Sequence, residues 1–163
     1  MKVCSSLSTN LCWKLPSMRN NKKILIVDDD ADICLGYQVL LTAHHYDTFF
    51  ACDASSTLTE AGTHKPDLII LDLGLPDVSR PEHTMLQSAS GGGFLVMERL
   101  AADKNLALIP VIVVSGLDPS ANRRRAICAG AMAFVQKPWD QAKLLAIIGQ
   151  LVGSPELPNS LPR

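Results

Sequence analysis

Leu68-Ile69-Ile70-Leu71-Asp72-Leu73-Gly74-Leu75-Pro76 is the stretch that decides how the rest of the chain is read. Its first four residues are apolar without alternation, the pattern of a strand covered on both faces, as in a parallel sheet. The run closes on a carboxylate, Asp72, and a turn containing Gly74 and Pro76 follows at once. An acid therefore stands at the carboxyl end of a central strand, the edge where open α/β sheets gather their ligands. A charge beside a buried strand needs a partner.

Working outward, other apolar runs also stop on polar residues. Ile24-Leu25-Ile26-Val27 runs into Asp28-Asp29-Asp30, Val111-Ile112-Val113-Val114 stops at Ser115-Gly116, and Ala133-Phe134-Val135-Gln136 is followed by Lys137-Pro138. Thr48 to Cys52 adds a strand, and the central one spans Asp67 to Leu71. Between them the helical period recurs. Asp30 suits a first N-cap, with Ile33, Tyr37, Leu40, Leu41 and His44 on one face, and His44 and His45 close that helix. Asp53 caps a weaker helix ending near Gly62. Phe94, Met97, Leu100 and Ala101 point inward from a third helix, Asp118 and Pro119 open a fourth that ends before Gly130, and Trp139 to Val152 makes a fifth, burying Leu144, Ile148, Leu151 and Val152. Strands alternating with helices predict an α/β fold, a doubly wound parallel sheet with helices on both faces.

Residues 22–152 are expected to form one domain. Residues 1–21 read either as a disordered N-terminal extension or as sequence ahead of a natural start at Met18, and residues 153–163 as a tail. Residues 78–92 are polar and aperiodic, an inserted loop ending in Gly91-Gly92-Gly93, which reads as a flexible hinge. The 163 residues carry a net charge of −1, so no global field draws nucleic acid or an acidic membrane. The apolar runs are too short to span a bilayer. Five scattered cysteines without a C-x-x-C pair are expected to be reduced thiols of a cytoplasmic protein, mostly filling the core. Arg123-Arg124-Arg125 reads as the solvated face of the fourth helix.

In a parallel sheet all the strand ends lie on one edge. Neighbouring strands would bring Asp28, Asp29, Asp72, Ser115 and Lys137 together there. Three carboxylates need a cation, and an all-oxygen site with open positions suits Mg²⁺. A carboxylate can also be a nucleophile that forms an aspartyl phosphate, and phosphoryl transfer needs the charge on the equatorial oxygens neutralised. A metal ion, the Lys137 ammonium and the Ser115 hydroxyl complete such a set.

The ordered motifs I-L-I-V-D-D-D, L-I-I-L-D-L-G-L-P-D, V-I-V-V-S-G and F-V-Q-K-P resemble the receiver domain of two-component response regulators, over roughly Lys22 to Val152. The resemblance implies a flavodoxin-like strand order 2-1-3-4-5. It implies Asp72 as phosphoacceptor, and Asp28, Asp29, Asp72 and the Gly74 backbone carbonyl as the Mg²⁺ site, with Asp29 the direct ligand. Lys137 becomes the phosphate-binding lysine, Ser115 the switch hydroxyl and Phe134 the switch aromatic. A cis Lys137-Pro138 bond is implied too. The implied partners are a histidine kinase or histidine phosphotransfer protein and a downstream protein target, with no direct nucleic acid and no membrane. Such a chain is a phosphoacceptor rather than a turnover enzyme. It departs from the family between Asp77 and Gly93, which enclose fifteen residues where two are usual. Two other readings remain: a pseudo-receiver that takes no phosphate, and an aspartyl-nucleophile phosphohydrolase. The second wants another acid two residues after the first, where this chain has Gly74.

Overall fold

A computed structural model describes residues 21–76 and 91–153. The strands are β1 (Lys23–Val27), β2 (Asp47–Ala51), β3 (Leu68–Leu71), β4 (Val111–Ser115) and β5 (Ala133–Gln136). The helices are α1 (Ala31–Ala43), α2 (Ala54–His64), α3 (Gly92–Ala102), α4 (Pro119–Cys128) and α5 (Gln141–Val152). All strand pairs are parallel, in the order β2-β1-β3-β4-β5.

The unbroken apolar runs are explained by two cores. Alternate residues of each strand point to opposite faces. Leu25, Val27, Ile69, Leu71, Val111 and Val113 pack with Ala54 and Ala61 of α2, Val96, Met97 and Leu100 of α3, and Ala126 of α4. Ile24, Ile26, Leu68, Ile70, Ile112 and Val114 pack with Tyr37 and Leu41 of α1 and Leu144 and Ile148 of α5. Each fully buried Ile or Leu here contributes about 1.5–3 kcal/mol. The strand repeat thus sends α1 and α5 to one side of the sheet and α2, α3 and α4 to the other.

Aspartates start four of the helices. Asp30 accepts from the backbone N–H of Asp32 and Ile33, and Asp53 forms a capping box with Ser56. Asp118 accepts from Ser120 N–H ahead of Pro119 at the first helical position, and Asp140 from Lys143 N–H. The fifth helix therefore begins after Asp140 rather than at Trp139, which instead stacks on Tyr37 with ring centroids 4.4 Å apart. α2 runs past Gly62 to His64, because Lys65 takes the left-handed cap conformation (φ 49°) that ends it. His44 is the exposed C-cap of α1 and not part of its inward face; His45 follows at φ 63°.

Other expectations need correction. α3 starts at Gly92, two residues before Phe94, and buries Val96, while Phe94 is half-buried and Ala101 exposed. Gly92 and Gly93 are buried within α3 and Gly91 is its N-cap, so the three glycines are packed and not a hinge. The rest of the inserted loop lies outside the described residues. Cys52 and Cys128 are free and exposed, not core fillers; Cys34 is free and half-buried. Leu151 and Val152 are half-buried. Among the described residues no helix is long and apolar enough to cross a membrane.

Candidate functional site

The strand ends are brought to one edge by backbone bonds that continue the ladder past the last strand residue. Asp28 N–H donates to Ala51 carbonyl oxygen (3.1 Å), Asp72 N–H to that of Val27 (2.9 Å) and Lys137 N–H to that of Ser115 (2.9 Å). Asp72 is thereby held next to the Val27-Asp28 bond, and Lys137 next to the end of β4. The Lys137-Pro138 peptide is cis.

Lys137 reaches back over the sheet edge and bridges two carboxylates. Its Nζ donates to Asp28 Oδ2 at 2.7 Å and to Asp72 Oδ2 at 2.8 Å. The side chains are 3% exposed for Asp28, 13% for Asp72 and 16% for Lys137, so this is a largely buried charge cluster in which each ion depends on the others. The remaining oxygens are also engaged: Asp28 Oδ1 accepts from Asp30 N–H, and Asp72 Oδ1 from Gly74 N–H, each at 3.0 Å. Asp29 differs. It is exposed, and among the described residues its carboxylate has no hydrogen bond or ion pair. Yet one oxygen each from Asp28, Asp29 and Asp72 lie within 4.8 Å of one another.

The electrostatics follow from burial and pairing. Burial pushes the Asp28 carboxyl above its ordinary value, and this outweighs the hydrogen bond from Lys137 and the Asp30 N–H. Burial works to lower Lys137, but two carboxylates at bonding distance prevail and hold the ammonium above its ordinary value. Burial, reinforced by the neighbouring Asp28, raises the Cys34 thiol to about 11, so it stays protonated beside the site.

Ser115 and Phe134 stand apart from this cluster. Ser115 is fully buried at the end of β4, and its Oγ accepts from Leu117 N–H (3.1 Å); among the described residues no hydrogen bond joins it to a carboxylate. Phe134 is buried in β5 with the Arg123 guanidinium 5.6 Å from its ring centroid. Arg125 lies 3.8 Å over the Phe94 ring. The arginine run is thus exposed, as expected, but two of its members cover aromatic rings. Sequence reading missed these contacts because the rings belong to other elements, α3 and β5, whose packing against α4 no spacing within α4 records.

The match to a family model carries the assignment further. Residues 24–149 match the response regulator receiver domain. The chain is 31% identical over 123 residues to the transcriptional regulatory protein KdpE of Mycobacterium tuberculosis, covering 76% of this chain and 47% of that protein. It is 28% identical to the polar-differentiation response regulator DivK of Brucella anthropi, covering 81% of this chain and 97% of that one. Among solved structures, the receiver domain of the sensor histidine kinase PA1611 from Pseudomonas aeruginosa superposes with a TM-score of 0.68 at 21% identity, over 82% of this chain and 99% of that one, and shows the same fold. The chain spans about half the length of KdpE, so the match to KdpE concerns the receiver portion of that protein. Because the family match runs from β1 into α5 and so takes in the edge where the acids and Lys137 meet, the chain belongs to the response regulator receiver domains.

Proposed function

We propose that this signalling domain takes a phosphoryl group onto Asp72 from the phosphohistidine of a histidine kinase or histidine phosphotransfer protein. The observation that carries the reading is the Lys137 bridge: one ammonium within 2.8 Å of the buried Asp28 and the partly buried Asp72, at the open edge of the sheet. In the transfer an Asp72 oxygen attacks phosphorus, the phosphorus–nitrogen bond to the donor histidine breaks, and its imidazole leaves. Lys137 then exchanges a carboxylate oxygen for a phosphoryl oxygen.

The donor set fits Mg²⁺. It is all oxygen, three carboxylates converge, and Asp29 keeps both oxygens uncommitted among the described residues. Asp28, Asp29, Asp72 and the Gly74 carbonyl would hold the ion, which supplies positive charge to the phosphoryl oxygens when bound. The PA1611 receiver is described as having a magnesium ion coordinated in its active site cleft. Asp29→Ala is expected to weaken Mg²⁺ binding about ten-fold or more, the largest loss of the three acids. Asp30→Ala, which removes only the α1 cap, should leave it unchanged. Calorimetric titration of both variants checks this, and equal affinity in Asp29→Ala and wild type would remove Asp29 from the ligand set.

Signalling would follow from repacking around β4 and β5, with Ser115 leaving its Leu117 contact for the phosphoryl group and Phe134 moving with it. The output would pass by contact with a downstream protein in the cytoplasm rather than by direct binding of nucleic acid or membrane. Acetyl phosphate with Mg²⁺, read by intact mass, tests the reading. A lasting acid-labile phosphoryl adduct supports a receiver. Continuous release of phosphate would mean a phosphohydrolase, and no reaction a pseudo-receiver.

A further inference from the structure

Four helices begin with an aspartate side chain on their first free N–H groups, but α3 has no side-chain cap. Instead, Gly92 N–H donates to the Leu75 carbonyl oxygen at 2.9 Å. The turn that follows Asp72 therefore caps α3 with its own backbone. Side chains would not fit between them. A methyl at Gly93 would collide with the Asp72 carbonyl oxygen and lie 2.6 Å from Leu73 Cα. One at Gly92 would lie 2.7 Å and 2.8 Å from the Pro76 and Leu75 oxygens, and one at Gly91 would collide with the Leu73 oxygen. Three successive glycines are laid backbone to backbone along Asp72–Pro76. None has a positive φ, so close approach and not backbone conformation demands glycine here.

We infer that Gly91-Gly92-Gly93 is a positioning seam through which α3 sets the placement of the Asp72–Gly74 turn, with Gly93 its principal residue. The inference rests on the proposed Mg²⁺ and phosphoryl site and adds to it a group that touches neither. The Asp72 carboxylate is fixed by Lys137 on one oxygen and by Gly74 N–H on the other. Its backbone is fixed by Val27 on one side and by the seam on the other. α3 is itself anchored in the core by Val96, Met97 and Leu100. A close-packed backbone contact transmits displacement rather than absorbing it. Pushing the seam open must shift Asp72, Gly74 or both relative to Asp28 and Asp29.

Gly93→Ala is expected to lower Mg²⁺ affinity about 10- to 100-fold, the range for partners that orient ligands without touching the metal. Gly91→Ala, which sits outside the helix and displaces only the Leu73 carbonyl, should give a smaller loss in the same direction. Gly36→Ala, with nothing within 4 Å of the added methyl, should give none. Ile148→Val, in the core on the other face of the sheet, controls for lost stability: it should lower the unfolding midpoint without changing affinity. Metal-free amide spectra should show shifts at Asp72, Leu73 and Gly74 in the two seam variants and not in Gly36→Ala. Should Gly93→Ala fail to fold, Gly91→Ala decides. Wild-type affinity together with unshifted turn amides in the seam variants overturns the inference. A wild-type protein that binds no Mg²⁺ instead overturns the proposed site, and the metal-free amide shifts still decide the seam.

Discussion

Asp72→Asn is expected to abolish Mg²⁺-dependent phosphorylation by acetyl phosphate while the protein keeps its fold. The amide oxygen is a poor nucleophile and carries no charge to attract a metal ion. The shape is nearly unchanged, so the surrounding ladder, from Asp72 N–H to the Val27 carbonyl, should persist. What changes is the charge balance. Asp72 and Asp28 share one ammonium, and their like charges raise the free energy of the metal-free cluster. Asn removes that repulsion but puts an NH2 donor where one of the two carboxylate oxygens accepts, facing either Gly74 N–H or the Lys137 ammonium. These effects oppose each other, and the net stability change should stay within about 1 kcal/mol. Intact mass and thermal unfolding check both halves. A variant that still gains a phosphoryl group at the wild-type rate, on any residue, would remove Asp72 from its proposed role.

The site was legible because parallel strands carry their function at their ends. Asp28, Asp72 and Lys137 each stand just past the end of a strand, and strand adjacency brings them together, whereas the Ser115 side chain at the end of β4 turns to Leu117 N–H and only its backbone carbonyl meets Lys137. The spacing could not show which oxygens stay free. Spacing alone did not separate Asp28 from Asp29, which only the family resemblance told apart, and the structure buries and doubly engages Asp28 while leaving Asp29 open. Gly91-Gly92-Gly93 was misread for a related reason. Glycine runs signal flexibility when nothing lies opposite them, and what lies opposite here is the backbone of Asp72–Pro76, which no periodicity records. The cation–π contacts of Arg123 and Arg125 are tertiary in the same sense. Helix starts were read correctly at the caps Asp30, Asp53 and Asp118, but missed by two residues both at α3, where close packing sets the start, and at α5, where Asp140 caps it.

Lys137→Ala should separate metal binding from response. Without the ammonium, Asp28 and Asp72 face each other largely buried and unpaired, and removing one partner of such a cluster costs about 3–5 kcal/mol. The metal-free variant is therefore expected to unfold at a markedly lower temperature, and Mg²⁺ should restore more stability to it than to wild type. Mg²⁺ affinity should be equal to or tighter than wild type, since Lys137 no longer competes for the two Oδ2 atoms. The pH dependence has a definite sign. Burial already holds the Asp28 carboxyl above its unfolded value, and losing Lys137 removes the chief opposing influence. A raised folded-state acid makes stability fall as pH rises through the window between the two values. The metal-free variant should thus lose more stability than wild type as pH rises above the ordinary carboxylate range. Phosphorylation, where it occurs, should no longer shift the amides of β4 and β5, because the phosphoryl oxygens have lost the ammonium that ties them to β5. Amide spectra of the phosphorylated variant that match those of phosphorylated wild type would show that Lys137 does not carry the response.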